Sequence, residues 1–132
     1  MAVREFTPEL ATRTLPLVSR IVDDIRRVYR ELEHSRKAIE AADAGGIEGD
    51  PRDRLQDAFD HSAGELTELA RELEPVGCVL KDPAQGLVDF PSTLDGETVW
   101  LCWQPGEREV AYWHPFDSGF SARRPLPAHA AN

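Results

Sequence analysis

The feature that most limits what this chain can fold into is a change of hydrophobic period near Pro75. Ahead of it, apolar residues recur in alternating steps of four and three, at Ala11, Leu15, Val18, Val22, Ile25, Tyr29 and Leu32, a heptad seam that a helix keeps on one face. Behind it the period falls to two and the residues turn aromatic and β-branched, the pattern of strands. A length of 132 residues leaves room for one core. The expectation is therefore α+β: a single domain over 1–132, with a helical hairpin over 7–74, an antiparallel β-meander of three to four strands over 76–114 and a C-terminal tail over 115–132.

Within the helical part, Thr7, Pro8 and Glu9 make a good start, with a hydroxyl to cap free amides and a proline where no donor is needed. Pro16 removes one hydrogen bond from a helix interior and crowds the previous turn, so it predicts a short helix over 8–14 and a long one over 16–43, with a kink or break between them. The stretch "ADAGGIEGDPRD" is a connection, after which Asp50 caps and Pro51 opens a second helix. That helix carries the seam Leu55, Phe59, Ser62, Leu66, Leu69 and Leu73 and stops at Pro75 and Gly77. The first helix bears a second stripe, Leu10, Leu17, Ile21 and Val28. One partner helix does not cover both stripes, so the remainder meets the C-terminal half or another subunit, and a homo-oligomer, most simply a dimer, is expected.

The runs "VGCVLKD", "GLVDFP", "ETVWLCWQ" and "EVAYWH" are strand-like, separated by turns at "DPAQG", "LDGE" and "QPGE". In the third run Val99, Leu101 and Trp103 point one way and Trp100 and Cys102 the other, so both faces of the sheet call for a cover. The helical hairpin takes one. The tail "FSARRPLPAHAAN" or a second copy of the chain takes the other.

A formal net charge of −9 and a pI near 4.8 repel phosphate backbones and anionic headgroups, which argues against nucleic-acid and membrane partners. "MAVREFTPEL" lacks a signal-peptide core, and no apolar run approaches the roughly 20 residues that span a bilayer, so a cytoplasmic location is expected. Cys78 and Cys102 sit in apolar strand-like runs without CxxC spacing. They are expected as buried free thiols, against a disulfide or a metal site.

The strings "FTPELATRTLPLV", "GLVDFP", "LCW", "GE", "YWH" and "GF" followed by "RRP" together resemble the domain-of-unknown-function 2203 family of small bacterial and archaeal proteins. The resemblance covers nearly the whole chain and implies the same build of helical hairpin and strands. It brings no activity with it. It draws attention to Lys81, Asp82, Asp89, Trp103, Glu107, His114, Gly119 and Arg123 or Arg124.

The candidate polar cluster is Lys81, Asp82, Asp89, Glu97, Glu107, His114, Asp117, Arg123 and Arg124, with Trp103 and Trp113 as its aromatic lining. Asp89 either faces solvent or turns inward to pair with Lys81 or an arginine. Glu107, in "PGER", is most simply a turn residue in water. A hairpin centred on Pro105 and Gly106 sets Glu107 opposite Gln104 and His114 opposite Glu97, so Glu107 meets His114 only across a subunit interface. His114 is held extended by Pro115. With Glu97, Asp117 and Asp89 nearby it has the ligand types that take zinc, manganese or iron, so His114, Glu97 and Asp89 are the candidates for a divalent transition metal. The simpler reading is a histidine that orders the chain turn by hydrogen bonds, and Trp100, Trp103 and Trp113 are core anchors first. His34, His61 and His129 are read as surface residues. The chain is thus expected to be a binding or interaction module, the alternative being a small metal-dependent or acid–base enzyme centred on His114, Glu97 and Asp89. Its catalytic residues, substrate and small-molecule ligand are left open by the sequence.

Overall fold

The computed structural model describes residues 5–127. Helix α1 (Pro8–Ala44) and helix α2 (Asp50–Arg71) precede strands β1 (Val79–Asp82), β2 (Leu87–Leu94), β3 (Glu97–Trp103) and β4 (Tyr112–Pro115), a 3₁₀ turn over Phe120–Ala122, and strand β5 (Arg124–Pro125). Among the described residues no helix is long and apolar enough to cross a membrane.

The Thr7 hydroxyl accepts from the Leu10 amide at 3.1 Å, with Pro8 in the first turn, and α1 then runs unbroken through 37 residues. The expected break at Pro16 does not occur. Ala11 and Leu15 before the proline and Val18 and Val22 after it are buried in one core, while Pro16 itself is exposed. One missing backbone bond is outweighed by apolar area that only a continuous helix can bury. In α2 the cap is Gly49, not Asp50: Gly49 takes φ 74°, a conformation glycine adopts freely, and Asp50 is already helical. Asp50 and Asp53 then lie in the first turn, where the helix dipole favours carboxylates.

The two helices pack on each other, and Leu66 and Leu69 of α2 lean on the same core. Of the second stripe on α1, Ile21 and Val28 are covered by the chain itself, whereas Leu10 and Leu17 stay about half exposed.

The sheet is an antiparallel meander in the order β1-β2-β3-β4-β5. It has five strands rather than three to four, because the tail returns: Arg124 and Pro125 pair with Trp113 and Tyr112, and Leu126 enters the core. The turn between β2 and β3 is closed by Asp95 and Gly96, both at positive φ, as a two-residue hairpin requires. Gly86, at φ 77°, ends the turn between β1 and β2 against α1; a Cβ there would lie 2.6 Å from Val22 Cγ1. The expected fourth strand over 109–114 begins later, at Tyr112. Ahead of it Val110 is drawn into the core, its amide donating to the Thr12 hydroxyl at 3.0 Å.

Register assigns the two faces. Phe90 stands opposite Leu101, and Leu101 opposite Trp113; with Val88 and Trp103 they meet the α1 seam. The other face carries Asp89 opposite Cys102, Cys102 opposite Tyr112, and Trp100 opposite His114.

Candidate functional site

On this outer face three side chains from three successive strands converge: Asp89 of β2, Cys102 of β3 and His114 of β4. Their carboxylate, sulfur and imidazole ligand atoms all lie within 4.8 Å of one another, and all three residues are buried. His114 Nε2 is 2.8 Å from Asp89 Oδ2, and Nδ1 is 2.9 Å from the Pro115 carbonyl. A carbonyl only accepts, so Nδ1 carries a proton, and the Nε2 to Asp89 contact holds one more between its two atoms. The Pro115 carbonyl also accepts from the Ser118 amide at 3.1 Å and its hydroxyl at 3.2 Å, which anchors the turn after β4.

Burial pushes the Asp89 carboxyl up, against the opposing pull of His114 and Lys81. Burial, reinforced by the Asp89 charge, pushes the Cys102 thiol up to about 12. Cys102 is therefore a thiol in contact with the carboxylate, not an activated nucleophile. Cys78, also free and buried, is raised to about 12 by burial within the apolar core.

Further contacts lie on the same face, where Trp100 stands opposite His114. Phe116 stacks on Trp100 with ring centroids 5.5 Å apart and planes 10° from parallel, and Trp100 Nε1 donates to the Phe116 carbonyl at 3.3 Å. The Lys81 ammonium lies 4.7 Å from the Trp100 ring centroid. Arg123 stacks 3.7 Å from the Tyr112 ring centroid and pairs with Glu107. Its Nη1 is buried with no hydrogen-bond partner among the described residues, a donor left for an added acceptor.

The structure distributes the sequence candidates unevenly. Asp89 turns inward, as one of its two readings had it, but its partner is His114 rather than Lys81 or an arginine. Glu107 is not a solvated turn residue: it accepts from the Gln104 amide at 2.9 Å and holds Arg123. Asp82 caps the turn after β1 by accepting from the Ala84 amide at 2.8 Å. Glu97 does not face His114. The detour of Val110 into the core shifts the register by three residues, so His114 meets Trp100, and Glu97 sits roughly 10 Å further along β3. Asp117 is exposed and does not take the imidazole proton. Arg124 is exposed, 5.6 Å from the Trp113 ring centroid. Trp103 lies on the helix side with its Nε1 donating to the Glu107 carbonyl at 2.9 Å, and Trp113 packs against the core. The aromatic beside His114 is instead Trp100, with Phe116 stacked on it. His34 and His61 are exposed on the helices, and His129 lies outside the described residues. Cys102 was not among the sequence candidates, although the two-residue turn offered a signal: counting outward from Leu94 opposite Glu97 puts Cys102 opposite Asp89.

At one end of the outer face a cleft of about 590 Å³ is lined by Glu5, Pro91, Ser92, Thr98, Trp100 and Phe116. Beside it, a smaller one is lined by Glu5, Phe6, Leu10 and Thr14. The Ser92 hydroxyl donates to the Phe6 carbonyl at 2.5 Å and the Thr93 hydroxyl to Glu5 Oε1 at 2.5 Å, which ties the segment before α1 along β2.

Comparison with known proteins places the chain in a family: the model described as "Uncharacterized conserved protein (DUF2203)" matches residues 4–126, and the chain belongs to it. No curated protein and no solved structure matches.

Proposed function

We propose that this member of the family is a binding module that takes a small, planar, largely apolar ligand against Trp100 and Phe116. The observation that carries the reading is the composition of the cleft: walls of Pro91, Trp100 and Phe116, hydroxyls of Ser92 and Thr98, and Glu5 as the charged group among its lining residues. Sites for small molecules combine apolar walls with a few polar groups that orient the ligand. Phe116 is 59% exposed, so a ring can stack on it without displacing a packed side chain. The Glu5 carboxylate accepts hydrogen bonds, so the favoured ligand carries a donor at its edge.

The rival reading, an acid–base or metal-dependent enzyme centred on His114 with Glu97 and Asp89, draws less support. The His114 and Asp89 side chains are 2% and 4% exposed, so a substrate has no direct approach to them, and Glu97 is out of reach.

Self-association as a dimer belongs to the same proposal. Glu5 lines both the Trp100 cleft and the neighbouring one that includes Leu10, so the two clefts adjoin, and large apolar side chains stay exposed at Phe116, Leu10 and Leu17. Leu17→Asp is expected to lower the mass seen by light scattering while preserving the fold; a single-chain mass for the native protein at micromolar concentration overturns the dimer. Ile21 and Val28 are unsuitable for this test, because they are buried within the chain and a charge there would unfold it.

The ligand reading is tested by NMR titration of isotope-labelled protein with indole and with N-methylindole, which keeps the ring and lacks the donor. Indole is expected to shift the Thr98 and Phe116 amides and the Trp100 ring N–H, N-methylindole to bind several-fold more weakly, and Phe116→Ala to suppress both. An unchanged spectrum at millimolar indole, or equal shifts in the Phe116→Ala protein, sinks it.

A further inference from the structure

We infer that Asp89, Cys102 and His114 form a site for one divalent transition-metal ion, with Zn²⁺ the ion their donors fit. The three ligand atoms lie within 4.8 Å of one another. Tetrahedral zinc, with bonds of about 2.0–2.3 Å, sets its ligand atoms roughly 3.3–3.8 Å apart, a spacing reached by small side-chain rotations and a slight opening of the His114 to Asp89 contact. The donors come from β2, β3 and β4, with Asp89 and Cys102 directly opposite and His114 one step along the same face. Hydrogen-bonded strands hold these positions with little freedom.

The donor set selects the class of ion. One sulfur, one nitrogen and one oxygen suit zinc, cobalt or ferrous iron, whereas magnesium and calcium prefer oxygen alone. The second ring nitrogen of His114 is already arranged as in many metal-bound histidines: Nδ1 donates to the Pro115 carbonyl, which aims Nε2 at Asp89 and the cluster.

Charge balance favours a divalent ion. A carboxylate, a thiolate and a neutral imidazole carry two negative charges, which a divalent cation neutralises. Without metal the same cluster is neutral because it holds two protons, one on the Cys102 sulfur and one shared by Asp89 and His114. On binding both leave to solvent, three metal bonds form, and no net charge is added to a buried region. Beyond the cluster Arg123 is balanced by Glu107, and Lys81 is exposed on β1. Three protein donors leave one position of a tetrahedral ion for a water molecule.

Cys78 supplies the internal control. It is as hidden as Cys102, at 5% against 1% exposure, but sits in the hydrocarbon core, outside the cluster. Full-length protein without an affinity tag, refolded with Co²⁺, is expected to bind one equivalent and to show the near-ultraviolet thiolate-to-cobalt band. The band is expected to persist in Cys78→Ser, to vanish in Cys102→Ser, and to need at least tenfold more metal in His114→Asn and Asp89→Asn. Wild-type protein provides a readout independent of any variant: Zn²⁺ is expected to slow alkylation of Cys102, followed by mass spectrometry, and to leave Cys78 unchanged. Failure of the wild-type protein to take up cobalt or zinc on refolding overturns the site. So does a band that survives in Cys102→Ser, or equal zinc protection of both cysteines.

Discussion

Leu101 and Cys102 are neighbours on β3 and are equally hidden, at 1% exposure each, yet different physics buries them. Leu101 points to the helices and is surrounded by Phe90, Trp103, Trp113 and the α1 seam, where burial scales with apolar area and any well-shaped hydrocarbon will do. Cys102 points the other way, to a carboxylate and an imidazole, on the face that also carries the Trp100–Phe116 stack. There each group depends on a specific partner, because a buried polar atom left alone keeps its desolvation penalty. One face is held by volume, the other by matching.

The contrast is tested most strongly at its centre. Phe90→Ala, on the helix side, is expected to cost about 3 to 5 kcal/mol in denaturant unfolding, since it removes a fully buried ring. Phe116→Ala, in the exposed stack on Trp100, should cost within about 0.5 kcal/mol. Comparable losses in the two variants would mean that the exposed stack is as essential as the core.

On the outer face, Asp89→Ala leaves His114 Nε2 buried without its partner and is expected to cost about 2 to 3 kcal/mol. The double variant Asp89→Leu with His114→Phe removes both polar groups and should regain much of that loss. No recovery would show that the pair does more than satisfy itself. At His114 alone, Asn retains an amide donor for the Pro115 carbonyl and should cost less than Ala, by about 1 kcal/mol.

The cysteines sharpen the comparison at smaller scale. Cys78→Ser places a hydroxyl in hydrocarbon and is expected to cost about 1 to 3 kcal/mol. Cys102→Ser places it beside Asp89, which accepts a hydrogen bond from it, so the cost should stay below about 1 kcal/mol. The reverse order in thermal melts would contradict the assignment of the two faces. The smallest effect is that of reductant: both cysteines are free, so the melting temperature should not move when it is added.

The sequence by itself determined what repeats at short range. The seam from Ala11 to Ile25, the alternation through Val99 to Trp103, the Thr7 cap and the turn at Asp95 and Gly96 each follow from residues a few positions apart, because helices and hairpins are built from local geometry. Even the facing of Asp89 and Cys102 was implicit in that turn. Tertiary structure decided the rest. Whether Pro16 breaks α1 depended on a core that grips the helix on both sides of it. The register of β4, which puts His114 beside Asp89 instead of Glu97, depended on the Val110 amide finding Thr12, 98 positions away. The fifth strand depended on Leu126 reaching the same core. Long-range contacts of this kind are chosen by competition for buried volume and for hydrogen-bond partners, and a periodic pattern carries no record of which distant residue wins.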